Sequence, residues 1–218
     1  MSFKNYYKSC GLGLVLLFSA LCAAARDGVA VVVDVVSYDK AHAELNDYVK
    51  ALEQKQGYKV YVVVDRWQVP DSIRAELMAL HTQKHDAIVG AVLVGDIPVP
   101  MVRDAQYLTS AFKMDQTVNR RESSVPSDRF YDDFSLRFCP LGKDDTLPYY
   151  YYSLTAEGAQ KLSPDIFSGR IRPTDAGGTS RYDKLRAYLR KATAAKLNPE
   201  RFRSVFVFTG DGSISESM

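Results

Sequence analysis

The chain has 218 residues, with 28 lysines and arginines against 26 acidic residues, so its charge gives no sign of the basic groove that a nucleic-acid partner requires. With 46% hydrophobic and 25% charged residues it can bury a sizeable core, and its length fits one domain, or one domain and the start of another. Three cysteines leave little room for a disulfide framework.

At the amino terminus Lys4 and Lys8 precede an apolar stretch from Cys10 to Ala25, and the small residues Ala23 and Ala25 are placed for cleavage before Arg26. This is the pattern of a secretory signal peptide over residues 1–25. The apolar stretch, at about 15 residues, is short of the roughly 20 that a bilayer span needs. Cys22 follows Leu21 rather than a small residue, which argues against a lipid anchor. Cleavage would leave 193 of 218 residues, and loss of two of the 28 basic residues would leave 26 against 26 acidic ones. The product is expected to be exported, to the periplasm, the cell surface or the medium, with no stable membrane span. Cys139 would be its one cysteine, so no internal disulfide can form in it.

From Gly28 the pattern alternates. The run "VAVVVDVV" at 29–36 is apolar and β-branched enough for a strand covered on both faces. Over 39–57 Ala41, Leu45, Tyr48, Val49 and Leu52 fall on one stripe of a helix that Gly57 can end. A second strand is predicted at 58–65. Pro70 and Asp71 suit the first turn of a helix running to about residue 84, with Ile73, Leu77 and Leu80 facing inward. A third strand follows at 87–95. Strand, helix, strand, helix, strand with short links predicts a parallel sheet with helices packed over it.

The following 75 residues break that regularity and contain the tyrosine run "PYYYYSL" at 148–154. They are expected to be short strands or long loops over the carboxyl edge of the sheet, where open α/β folds place their sites. The turn-rich "PTDAGGTS" at 173–180 leads into a helix over 181–197, with Tyr182, Leu185, Leu189 and Ala192 at helical spacing. "RSVFVFTG" at 203–210 reads as another buried strand.

Few residues offer hydrolytic chemistry. His42 lies beside the apolar stripe of the first helix, as a structural or surface histidine would. His81 and His85 have the spacing of a helical metal pair, but Thr82 stands where a zinc peptidase carries glutamate, and His85 falls where the helix should end. Cys139, in "RFCPLG", would need a base within reach to act as a nucleophile, and all three histidines lie in the first 85 residues. A partly buried structural thiol is the simpler reading.

Acidic turns remain. Asp96 in "LVGDIPVP" stands just past the third strand, before prolines that stiffen the exit. "PSDRFYDDF" at 126–134 gathers Asp128, Asp132 and Asp133, and "SPDIFSGRI" at 163–171 adds Asp165. Such oxygen-rich segments suit calcium as a structural ion, with Asp128, Asp132 and Asp133 as ligands, although the spacing of a helix-loop-helix calcium loop is missing.

Taken in order, "VLVGDIPVP", "VPSDRFYDDF" and "SPDIFSGRIRP" resemble the signature turns of the gingipain-like cysteine peptidases, family C25. The matching positions are Gly95, Asp96 and Pro100; Pro126, Ser127, Asp128, Tyr131 and Asp133; and Pro164, Asp165, Ile166, Gly169, Arg170 and Ile171. The resemblance covers about residues 87–218. It implies an exported endopeptidase of caspase-like α/β fold, a parallel sheet flanked by helices in two side-by-side subdomains, cutting protein or peptide substrates with a cysteine thiolate and a histidine and needing no cofactor for the chemistry. Both catalytic residues would lie on the second subdomain, the histidine in a Gly-His-Gly turn. No such turn occurs here, so no catalytic residue is assigned.

On this reading residues 26–202 are the first subdomain and 203–218 open the catalytic one, with the chain cut as that subdomain begins. Alone it is expected to be inactive, its loops after Gly95 and around 126–134 forming one wall of the substrate cleft. Tyrosines and "TAEGAQKL" fill the place of the acidic turn that the family often carries before Pro-Asp-Ile. Two other functions fit the residues: a secreted, non-catalytic α/β binding domain, and a metal-assisted hydrolase in which Asp96, Asp128 and Asp132 converge.

Overall fold

The computed structural model describes residues 25–106, 108 and 114–198. The predicted leader before residue 25 and the strand expected at 203–210 lie outside them. Among the described residues no helix is long and apolar enough to cross a membrane.

Four parallel strands form the central sheet in the order β2-β1-β3-β8: β1 (Gly28–Asp34), β2 (Lys59–Asp65), β3 (Ile88–Val94) and β8 (Phe167–Ile171). Every residue of β1 is buried, and the alternation of its side chains divides the core in two. On one face Val29, Val31 and Val33 pack with Ala41, Leu45 and Leu52 of α1 (Val35–Gln56) and with Leu185 and Leu189 of α4 (Arg181–Leu197). On the other, Ala30 and Val32 pack with Ile73 and Leu77 of α2 (Pro70–Thr82) and with Phe130, Tyr131, Tyr152 and Ile166. Each fully buried Val, Leu or Ile contributes about 1.5–3 kcal/mol, which is why this run directs the fold.

The chain enters α1 earlier than the apolar run suggests. Asp34 closes β1 and its Oδ1 accepts from the Val36 and Ser37 amides at 3.1 and 3.0 Å, so Val35 and Val36 join the helix rather than the strand. At its far end Gly57 takes a left-handed conformation (φ 76°), as predicted. Helix α2 stops at Thr82, which leaves His85 beyond the helix. Helix α4 covers the predicted residues 181–197, capped by Ser180.

The segment after β3 is the larger surprise, because it builds a second sheet in the order β5-β4-β7-β6. It comprises β4 (Val99–Arg103), β5 (Val125–Pro126), β6 (Phe138–Lys143) and β7 (Tyr149–Leu154), with the short α3 (Arg129–Asp132) between β5 and β6. Strands β4 and β7 are parallel, and the outer pairs are antiparallel. The tyrosine run is β7, and three of its hydroxyls find separate acceptors: Tyr150 bonds the Gln68 carbonyl, Tyr151 bonds Asp144 at 2.7 Å, and Tyr152 bonds Asp71 at 2.6 Å. Tyr150 and Tyr152 therefore tie this sheet to the start of α2.

The motif at 163–171 supplies β8, a fourth parallel strand beside β3, where a turn leading to a helix was expected. Ser168, Gly169 and Arg170 hide it from any apolar pattern. Its Phe167 ring lies across Gly90 of β3, where a Cβ would strike the ring. The fold is thus a mixed α/β arrangement of one parallel and one mixed sheet flanked by helices.

Candidate functional site

At the carboxyl edge of the parallel sheet, Gly95 adopts φ 83°, and a Cβ there would run into the Asp34 carboxylate and the Ser37 hydroxyl. That absence of a side chain lets Asp34 Oδ2 accept from the Asp96 amide at 2.7 Å, while the Gly95 amide donates to the Ile171 carbonyl at 2.9 Å. One carboxylate thereby serves three backbone amides, two in the first turn of α1 and one in the loop after β3. The Asp96 side chain is then aimed at Arg181 on the first turn of α4, which contacts its two oxygens at 3.0 and 2.7 Å. A bond to the Tyr182 hydroxyl and the Asp96 contact raise the Arg181 pKa above the ordinary guanidinium value.

The motif residues meet around Arg170. Its Nε and Nη2 donate to the two oxygens of Asp128 at 3.1 and 2.7 Å, and its Nη1 donates to the Ile97 carbonyl at 2.8 Å. The Tyr131 hydroxyl, fully buried, donates to the neighbouring Pro98 carbonyl at 2.8 Å, and burial drives its pKa far above that of a free phenol. Pro100 lies on β4 opposite Tyr150 and accepts from the Ser127 amide at 3.0 Å. Three segments separated by tens of residues are thus joined by one bidentate guanidinium, whose planar fork suits this role.

The acidic residues of the middle segment go to separate partners. Asp132 is fully buried; its Oδ2 pairs with Arg129 at 2.5 Å and accepts from Ser168, and its Oδ1 has no hydrogen-bond partner among the described residues. Burial outweighs those contacts and raises its pKa to about 6. Asp133 accepts from the Ser135 hydroxyl and the Ser163 amide, both at 2.7 Å. Asp165 accepts from the Phe134 amide at 2.6 Å. Among the described residues no three His, Cys, Asp or Glu side chains are grouped to hold a metal.

Sequence reasoning missed Arg74 of α2. Its guanidinium lies over the rings of Phe130, Phe134 and Phe138, at 5.2–5.7 Å from their centres, and bonds the carbonyls of Phe130, Asp133 and Leu136. Desolvation lowers its pKa. Only the aromatic spacing at 130, 134 and 138 hints at such a cation.

Beside these contacts opens a cleft of about 850 Å³, lined by residues that follow β2, β3 and β8 and by the β6–β7 hairpin. Trp67, Pro98 and Tyr150 give it apolar walls, and Asp96, Lys143, Arg172 and Arg181 give it charge. Trp67 is fixed by its indole N–H, which donates to the Val33 carbonyl at 2.9 Å. Of the candidate site residues only Asp96 lines this cleft; Gly95, Pro100, Asp128, Tyr131, Asp165 and Arg170 stand outside it.

No thiol and imidazole meet among the described residues. Cys139, expected to be partly buried, is exposed on the outer strand β6, and among the described residues its sulfur bonds the Pro140 carbonyl at 3.9 Å. His81 bonds the Ile88 carbonyl at 2.9 Å and stacks against Phe134, while His42 and His85 are exposed.

No family model matches the chain, and no curated protein or solved structure matches it either.

Proposed function

We propose that this chain is the amino-terminal part of an exported gingipain-like cysteine endopeptidase, and that residues 26–202 form its caspase-like, non-catalytic subdomain beside a peptide cleft. The observation that supports this reading most is the meeting of its three signature segments at Arg170, which holds Asp128 and the Ile97 and Pro98 carbonyls together. The 850 Å³ cleft at the carboxyl edge of the sheet supports a ligand site next to them. The chemistry needs no cofactor, since a thiolate beside an imidazole carries it.

The test is to read the gene through codon 218 and to follow its mature product by intact mass. A frame that continues into a Gly-His-Gly turn and a cysteine after a later strand is expected. Replacing that cysteine should abolish peptide hydrolysis, and the 218-residue chain alone should show none. A frame carrying neither residue sinks the peptidase reading and leaves the secreted binding domain in its place.

The cleft itself favours that second reading, because its cations and aromatic walls need no dyad to hold a ligand. A metal-assisted hydrolase draws no comparable support. Asp96, Asp128 and Asp132 each pair with a different arginine, Arg181, Arg170 and Arg129.

A further inference from the structure

We propose that the cleft captures a peptide through an acidic side chain, with Arg172 as the main anchor and Lys143 as its companion. Charge is left over in this cleft. Asp96 is the sole carboxylate among the residues lining the cleft, and Arg181 already contacts both of its oxygens. Arg172, which leaves β8 beside the Gly-Arg-Ile motif, stands 3.7 Å from Asp96 at its Nε, beyond hydrogen-bond reach. Among the described residues its terminal nitrogens make no hydrogen bond. Lys143 at the end of β6 has its ammonium 5.5 Å from the Tyr150 ring centre and no carboxylate partner among the described residues. Among its lining residues three cations thus face one carboxylate, a surplus of positive charge that Asp175, 4.0 Å from Arg181, offsets in part.

That surplus faces walls of low polarity, which focus its field on an entering anion. A guanidinium with an uncommitted fork binds a carboxylate through two parallel bonds. Trp67, Pro98 and Tyr150 offer apolar surface to the rest of a short peptide, and the volume lies within the range of about 300–1,000 Å³ for ligand clefts. A phosphate fits less well. It favours a nest of free backbone amides at a helix start, and here the Arg181 amide already donates to Asp175 and the Tyr182 amide to Ser180.

This goes beyond the peptidase reading and does not depend on it, because binding is read without hydrolysis. Trp67 is the only tryptophan in the chain, so its fluorescence reports occupancy of the cleft directly. The 218-residue chain would be titrated with acetyl-Ala-Glu-Ala-amide, its Gln and Lys counterparts, and inorganic phosphate. The Glu peptide should give a saturable change that weakens with salt, and the Gln peptide should bind about tenfold less tightly. Arg172→Gln should cost about tenfold in affinity for the Glu peptide, Arg172→Lys less, and Lys143→Gln about threefold. Both side chains are exposed and loosely paired, so the melting temperature should hold and separate lost binding from lost folding. Equal affinity for the Glu and Gln peptides, an unchanged Kd in Arg172→Gln, preference for phosphate, or no saturable change at all would overturn the proposal. Any of these results would leave the peptidase reading untouched, just as a missing dyad would leave this binding intact.

Discussion

The parallel sheet and the segment laid against it between β3 and β8 are held together in different ways. In the first, β1 is buried along its whole length, and its valines set two cores against helices on both faces. Many interchangeable apolar contacts share the work there. In the second, strands β4 to β7 have a small core of their own, Val102, Ala105, Leu136 and Leu154; Phe130, Tyr131 and Tyr152 join the main core, and single polar side chains reaching backbone carbonyls far away in sequence add to the attachment. Apolar redundancy tolerates loss at one position better than a lone guanidinium does.

The contrast can be broken first at its strong side. Leu45→Ala, fully buried between α1 and β1, should cost about 2–5 kcal/mol in urea unfolding, with both sheets lost in one transition. A transition in which the second sheet survives would show that the two regions fold separately. Next, Arg170→Met should cost about 3 kcal/mol by leaving Asp128 without its partner. Its signature is local: the Tyr131 and Asp133 amides should exchange with deuterium faster while those of β1 hold. Uniform acceleration would deny the segment its dependence on this residue.

Asp132 makes the second region sensitive to pH. Its folded pKa of about 6 stands above the ordinary carboxyl value of 3.8, so the folded chain holds this proton more tightly than the unfolded chain does. The protonated group therefore favours folding below pH 4, and that contribution is lost as pH rises through 6. Relative to Asp132→Asn, the natural chain should lose about 2 kcal/mol between pH 4 and 7. Parallel pH profiles for the two would refute the buried, half-satisfied carboxylate. The smallest effect is expected from Tyr152→Phe, which removes the bond to Asp71 at a cost of about 1 kcal/mol, or a melting shift of roughly 2–4 °C.

The same contrast explains what could be read from the amino acids. Runs such as 29–34 and the stripe through Leu45 and Leu52 announce their elements because burial imposes a period on them. Strand β8 has no such run, since Ser168 and Arg170 turn polar groups toward Asp132 and Asp128. The acidic motif residues were visible, but their partners were not: an arginine is not marked in sequence as the one that will meet a given aspartate. Lys143, Arg172 and Arg181 share a cleft only because three strands and a hairpin end at the same place.

Asp34 has a mechanical consequence. It fastens the first turn of α1 to the Asp96 loop, Asp96 fastens that loop to Arg181, and α4 lies back along α1 through Leu185, Leu189 and the Arg190–Glu44 pair at 2.7 Å. These links form a closed truss along one side of the molecule. A load applied at Asn198, the cap of α4, reaches the rim of the cleft through the helix pair and its polar rivets, touching the sheet only at Asp34, the last residue of β1.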